Sequence, residues 1–166
     1  MSDAMETSVP GFTIRLATRE DVALILKFIR GLAEYERLLH EVTATEEMLR
    51  ETLFGGRRVA EVLIGEYRDE PVGFALFFHN FSTFLGRPGI YLEDLFVKPE
   101  MRGRGFGRLL LTHLAKLAKE RKCGRLEWSV LDWNEPARNF YRKIGAAEMS
   151  AWRICRLTGP ALERYR

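Results

Sequence analysis

The run VKPEMRGRGFGRLLLTHLAKLAKE, Val97 to Glu120, sets the tightest limit on what this chain can fold into. Pro99 ends the segment before it, three glycines alternate with basic residues, and a helix-favouring stretch follows from about Gly105 to Arg121. A strand, a glycine-rich loop and a long helix therefore follow one another here. Amides at the start of a helix lack intrahelical partners and carry the positive end of its dipole, so they attract anions, and glycine lets a phosphate come close. Arg102 and Arg104 add charge at the mouth of this loop, and a pyrophosphate fits the arrangement from Arg102 to Gly107.

Periodicity places the other elements around this point. In GFTIRLAT, Phe12, Ile14 and Leu16 alternate with polar residues as in a strand with one buried face. From Arg19 to Leu39, Val22, Ile25, Leu26, Ile29, Leu32 and Ala33 recur at helical spacing behind the N-cap Thr18. A shorter helix starts from Thr43 or Thr45 and stops at Gly55-Gly56. RVAEVLIGEY, the turn RDEP and VGFALFFHNFST read as a hairpin, GIYLEDLFV as a fourth strand and GRLEWSVL as a fifth. NEPARNFYRKIG is a short helix with Asn134 as cap, Pro136 in its first turn and Gly145 as terminator, and SAWRICRL is a last strand. The order is mixed α/β without repeats. The expected organisation is a flexible tail over residues 1–11 and a single domain over 12–166.

With 46% apolar and 30% charged residues the chain is globular in composition, and a net charge of +3 is too small to demand a nucleic acid partner. Cys123 and Cys155 lie far apart without CxxC spacing, and His40, His79 and His113 are scattered, so no metal site is expected. The first residues carry no apolar run and no later segment has the length of a membrane span, which leads to the expectation of a cytoplasmic protein without membrane contact.

Two nucleotide-binding templates fail on the glycine stretch. A P-loop needs GxxxxGK[ST], and a Rossmann GxGxxG finds Arg108 where its third glycine belongs. A third pattern, R-x-x-G-x-G between strand and helix, is met by Arg102, Gly105 and Gly107. It resembles the coenzyme A pyrophosphate loop of the GNAT superfamily of N-acetyltransferases, and the element order resembles that fold from Phe12 to about Leu157. LAEYER (Leu32 to Arg37), YLEDLFV (Tyr91 to Val97) and WNEPARNFYRKIGA (Trp133 to Ala146) resemble segments of the spermidine/spermine (diamine) and thialysine acetyltransferases. The resemblance implies a mixed, mostly antiparallel sheet of six to seven strands flanked by helices, acetyl-CoA as cofactor and a homodimer. It also implies that Arg102, Gly103, Arg104, Gly105, Phe106, Gly107 and Arg108, with Leu95, Phe96, Val97, Asn134, Pro136 and Ala137, contact that cofactor.

An amine with a pKa near that of lysine, about 10.4, is protonated at neutral pH and needs a proton acceptor before it can attack a thioester. Strand alternation sends the neighbours Glu93 and Asp94 to opposite faces, so at most one of them serves a given site. In the resembling family the glutamate matching Glu93 binds the amine and acts as base through water; a salt-bridging strand acid is the alternative reading. The backbone from Leu95 to Val97 holds the acyl part and supplies an N–H to the carbonyl oxygen, by the same resemblance. Tyr141 matches the family's acid for the departing thiolate, although a lone tyrosine also serves as packing. The resemblance also implies that Tyr35 and Glu36 lie beside the amine and that Glu127, Trp128 and Ser129 face the substrate, with Trp128 departing from the smaller or different aromatic expected there. Transfer within a ternary complex needs no enzyme nucleophile.

The expected activity is acetylation of a primary amine on a small cation, a polyamine, a diamine or a lysine-like amino acid. Acetylation of a peptide or protein amine is the alternative within the enzyme class. A non-catalytic acyl-CoA-binding module and a nucleic acid binder using Arg102, Arg104 and Arg108 are the readings outside it.

Overall fold

Six strands form one sheet in the order β1-β2-β3-β4-β5-β6: β1 (Met5–Glu6), β2 (Phe12–Leu16), β3 (Glu61–Tyr67), β4 (Glu70–Ser82), β5 (Arg87–Val97) and β6 (Leu126–Trp128). The first four pairings are antiparallel and β5 with β6 is parallel, in a computed structural model that describes residues 4–165. The helices are α1 (Val22–Tyr35), α2 (Glu46–Phe54), α3 (Phe106–Glu120), α4 (Glu135–Lys143) and α5 (Pro160–Glu163). The expected mixed α/β sheet with flanking helices is thus the fold observed. The chain divides into two compact units, one ending at Ser129 and the other starting at Val130.

In the first unit both faces of the sheet are covered. Apolar spacing along α1 turns Val22, Ile25, Leu26 and Phe28 onto one face, where they join Leu49 and Leu53 of α2 and Val62, Ile64, Phe74 and Phe96 of the sheet. The rings of Phe28 and Phe74 lie 5.5 Å apart and those of Phe28 and Phe96 5.9 Å. On the other face α3 buries Phe106, Leu110, Leu111 and Leu114, and Phe106 stacks on Phe12 at 4.3 Å. A fully buried phenylalanine contributes roughly 1.5–3 kcal/mol, so these rings anchor the helices on which the site depends. Gly31 lets α1 approach β5: a Cβ there would lie 2.7 Å from Cζ of Phe96.

Three expectations are corrected. Residues 5–11, expected as part of a flexible tail, fold back on β2: Met5 pairs with Ile14 and Glu6 with Thr13, and the Thr7 hydroxyl donates to the Phe12 carbonyl at 2.8 Å. The first three residues of that tail lie outside the described residues. Helix α1 stops at Tyr35 rather than Leu39, because Arg37 adopts φ +62° and Leu38 N–H turns back to the Ala33 carbonyl. The final strand expected over 150–157 does not form. The second unit has helices and no strand among its described residues, so the alternating pattern there has no partner within that unit. Trp152 and Ile154 are exposed as a result.

The second unit is organised by its helix caps and ion pairs. Asn134 caps α4, its side-chain oxygen accepting from Ala137 N–H at 3.4 Å, and Gly145, at φ +90°, terminates it. Arg138 and Arg142 both pair with Glu135 and Glu148.

Candidate active site

The site begins with an irregularity in β5. Leu76 opposes Asp94 while its neighbour Phe77 opposes Leu92, which leaves Glu93 as the extra residue of a β-bulge. Partners directly across a ladder share a face, and Leu76 packs with the α1 cluster, so Asp94 faces α1. The bulge breaks the alternation at Glu93, the exposed residue between Leu92 on the α3 side and Asp94 on the α1 side.

Beyond the bulge, the backbone of β5 turns an edge outward. Lys98 N–H donates to the Val72 carbonyl at 2.8 Å, so Gly73 and Val97 form a non-hydrogen-bonded pair, and the N–H and C=O of Val97 face away from β4. Leu95, two residues back, repeats that orientation. Strand β6 accompanies β5 only over Ile90–Leu126, Tyr91–Glu127 and Leu92–Trp128. The segment from Leu95 to Val97 thus presents backbone groups where the β6 ladder has ended, as a site for an extended amide-bearing ligand requires. The Phe96 side chain is part of the core.

Charge concentrates on the α1 side of the bulge. Burial, then Glu93, then Glu36 push the Asp94 carboxyl up to about 6. Burial also raises Glu36, which follows the last residue of α1. Glu93 itself is exposed. Glu93 and Glu36 both disfavour the ionisation of Asp94, so a cation arriving beside Asp94 is stabilised there, which gives the place affinity for an ammonium group. On the same strand the Tyr91 hydroxyl lies 2.6 Å from that of Ser129.

The glycine loop lies between β5 and α3. After a 3-10 turn over Pro99–Met101, Gly103 and Gly105 have φ of +76° and +84°, conformations that glycine adopts without strain. Gly105 is the N-cap of α3, has no side chain to cap with, and no acid occupies the first turn. A Cβ at Gly103 or Gly105 would meet nothing within 4 Å, and one at Gly107 would make an ordinary 3.8 Å contact with Val97. The fold therefore does not need Gly107, whereas an anion seated on the helix N-terminus does. These residues fit the pyrophosphate of an acyl-CoA. Arg104 and Arg108 are exposed, with Arg104 over the Tyr67 ring at 5.7 Å. Phe106 is buried against Phe12, so its contribution to the loop is its backbone N–H.

Arg102 behaves differently from its neighbours. Its Nε donates to the Val97 carbonyl at 2.9 Å, and its guanidinium lies 4.5 Å from the centre of the Tyr35 ring and 5.7 Å from that of Phe96. Glu127 is also committed within the protein: it pairs with Arg125 at 2.7 Å and accepts from Asn80 at 3.1 Å. The first unit thus brings together Tyr35, Glu36, Glu93, Asp94, Val97 and Arg102. Tyr141, Asn134, Pro136 and Ala137 belong to α4 and its cap in the second unit, where Tyr141 contacts Phe140. Asp94 and the tether of Arg102 were missed by sequence reasoning. The acidic pair in YLEDLFV was the available signal for Asp94. Among the described residues no group of three or more His, Cys, Asp or Glu could hold a metal.

The profile of the acetyltransferase (GNAT) family matches residues 29–146. The chain is 37% identical to the L-ornithine N5-acetyltransferase NATA1 of Arabidopsis thaliana, covering 90% of this chain and 86% of that protein. It is 38% identical to the thialysine N-epsilon-acetyltransferase of Bos taurus, covering 90% and 94%. Among solved structures, the integron cassette protein VCH_CASS6 from the mobile metagenome of V. cholerae superposes with a TM-score of 0.79 at 26% identity, over 94% of this chain and 98% of that one.

Proposed function

The chain belongs to the acetyltransferase (GNAT) family, and from that premise we propose that it transfers acetyl from acetyl-CoA directly to a primary amine of a small cation, a diamine, a polyamine or a lysine-like amino acid. The observation that carries the reading is the meeting of two incompatible demands at one strand. Beyond Glu93, β5 offers an outward backbone edge leading to an uncapped helix N-terminus. At Glu93 it offers a crowded group of acids.

When bound, the cofactor supplies an activated acyl thioester. Gly103, Gly105 and Gly107 hold its pyrophosphate through backbone N–H groups, Arg104 and Arg108 add positive charge, and Leu95 and Val97 flank its extended arm. Asn134, Pro136 and Ala137 contribute further contacts from the second unit. Tyr35, Glu36 and Asp94 hold the ammonium of the second substrate, with Trp128 and Ser129 bounding it. Glu93, exposed on the bulge, takes the ammonium proton through water, so that the neutral amine can attack. An outward N–H of β5 is suited to donate to the carbonyl oxygen as charge develops there. Tyr141 gives a proton to the departing sulfur. Both substrates are bound together, no residue is acetylated, and the unit of function is one domain, as a homodimer working in the cytoplasm.

The test is to incubate the purified protein with acetyl-CoA and, in turn, ornithine, thialysine, lysine, putrescine, spermidine, spermine and a lysine-containing peptide, identifying products by mass spectrometry. An acetylated product with one or two small amines, and little with the peptide, supports the reading. Acetylation of the peptide in preference to all the small amines would replace the small-cation acceptor with a protein one.

A further inference from the structure

Gly89 stands on β5 opposite Asn80 of β4, in the body of the strand, where no turn calls for a glycine. A Cβ there would lie 2.3 Å from Asn80 Oδ1 and 3.2 Å from Arg125 Cγ, so two neighbouring side chains occupy its place. Across the bare strand Asn80 Nδ2 donates to Glu127 Oε1 on β6 at 3.1 Å, and the same oxygen pairs with Arg125 Nε at 2.7 Å. Register fixes the face on which this group stands. Leu76, Phe78 and Asn80 alternate along β4 and share a side; Leu76 opposes Asp94, Phe78 opposes Tyr91, and Tyr91 opposes Glu127. The ion pair therefore lies on the face of Asp94. The Arg125 and Glu127 side chains are 39% and 37% exposed, so the pair is anchored by Asn80 and open to a ligand.

We propose that Arg125 is a specificity-determining residue that takes the carboxylate of an α-amino-acid acceptor, with Glu127 beside it for the α-ammonium. The assignment rests on the transferase reading above and narrows its acceptor from any small cation to one whose far end carries both charges. Spacing supports it. Asp94 and Tyr91 are three residues apart, about 10 Å along the strand before the bulge shortens it, and β6 lies about 5 Å to the side of β5. An extended ornithine or lysine spans roughly 6–8 Å from its terminal nitrogen to its carboxylate, and a hydrogen bond of about 3 Å at each end completes the interval. The charges agree with the spacing. Glu127 is already offset by Arg125, so the second ammonium of a diamine gains little there and meets the guanidinium as a like charge. An amino acid brings a carboxylate, which the planar fork of donors on a guanidinium fits.

Ornithine and putrescine differ only by the α-carboxylate, as do lysine and cadaverine, so each pair isolates the contact. Initial rates with acetyl-CoA should give the amino acid a kcat/KM at least about tenfold above that of its decarboxylated partner, the scale of a charge-assisted hydrogen bond. Arg125→Gln should lower that ratio at least about tenfold, chiefly through the KM of the amino acid. It should also raise kcat/KM for the diamine, because Glu127 is released to the second ammonium, and that turnover shows the variant to be folded. A parent protein that prefers the diamine or a lysine-containing peptide overturns the proposal. So does a ratio that moves by less than about threefold in Arg125→Gln, including the case in which both substrates slow by the same factor. If the parent acetylates none of the four, the transferase reading fails, and calorimetry with ornithine and putrescine then decides the role of Arg125. Ornithine bound by the parent and at least about tenfold more weakly by Arg125→Gln supports it; equal binding by the two proteins, or none by the parent, overturns it.

Discussion

Gly107 sits in the first turn of α3, where alanine is the better helix former by about 1 kcal/mol, and where a Cβ would touch Val97 at an ordinary 3.8 Å. Gly107→Ala should therefore stabilise the ligand-free protein by up to about 1 kcal/mol in urea unfolding, yet weaken acetyl-CoA binding measured by calorimetry. Loss of stability, or unchanged binding, would mean that the glycine serves the fold. Asp94 makes the opposite kind of statement. Its carboxyl titrates near 6 in the folded chain against an ordinary 3.8, so the folded state holds the proton more tightly than the unfolded state. The stability this group allows is full below its unfolded pKa and is lost as pH rises through about 6. Asp94→Asn should thus raise stability above pH 6 by roughly 1–3 kcal/mol and flatten the fall in stability between pH 4 and 6, while raising the amine KM. Urea unfolding across that range would show it, and a variant less stable than the parent at pH 7.5 would contradict it.

At the scale of elements, most of the layout was legible because the periods of 2 and 3.6 are carried by side chains that are buried where they stand. Val22, Ile25 and Leu26 announce α1, and Leu110, Leu111 and Leu114 announce α3, each next to a glycine or cap that marks a boundary. Features that arise from pairing were not legible. The bulge at Glu93 depends on how β5 registers with β4, and no residue type in YLEDLFV calls for it. The end of α1 is set by Arg37 in a left-handed conformation without a glycine or proline to signal it. The alternation in SAWRICRL was real, but alternation makes a strand only when an edge is there to receive it. The close approach of α1 to β5 at Gly31 supplies a test at this scale. Gly31→Ala gains helix propensity and drives a Cβ to 2.7 Å from Phe96, an overpacking that typically costs about 1–3 kcal/mol. It should destabilise the protein in urea unfolding, where Gly107→Ala stabilises it; equal behaviour of the two substitutions would show that Phe96 yields freely.

For the molecule as a whole, the glycine loop and the general position of the acids could be read from the sequence, since R-x-x-G-x-G and YLEDLFV are contiguous. The grouping of Glu36 with Glu93 and Asp94 depends on α1 crossing the end of β5, and the commitments of Glu127 to Arg125 and Asn80 depend on a parallel strand joining late in the chain. The central claim is that Glu93 at the bulge and Tyr141 on α4 move the protons of one transfer whose acyl donor lies along β5. It is tested most directly by the initial rate of CoA thiol release at saturating acetyl-CoA, with the best amine of the panel, for the parent protein, Glu93→Gln and Tyr141→Phe. Each substitution should lower kcat by about 10²–10⁴-fold, with acetyl-CoA binding retained. The Glu93→Gln loss should shrink as pH rises towards the pKa of the free amine, because less of the substrate then needs a proton acceptor. Rates within about threefold of the parent in either variant, across that pH range, would contradict the account.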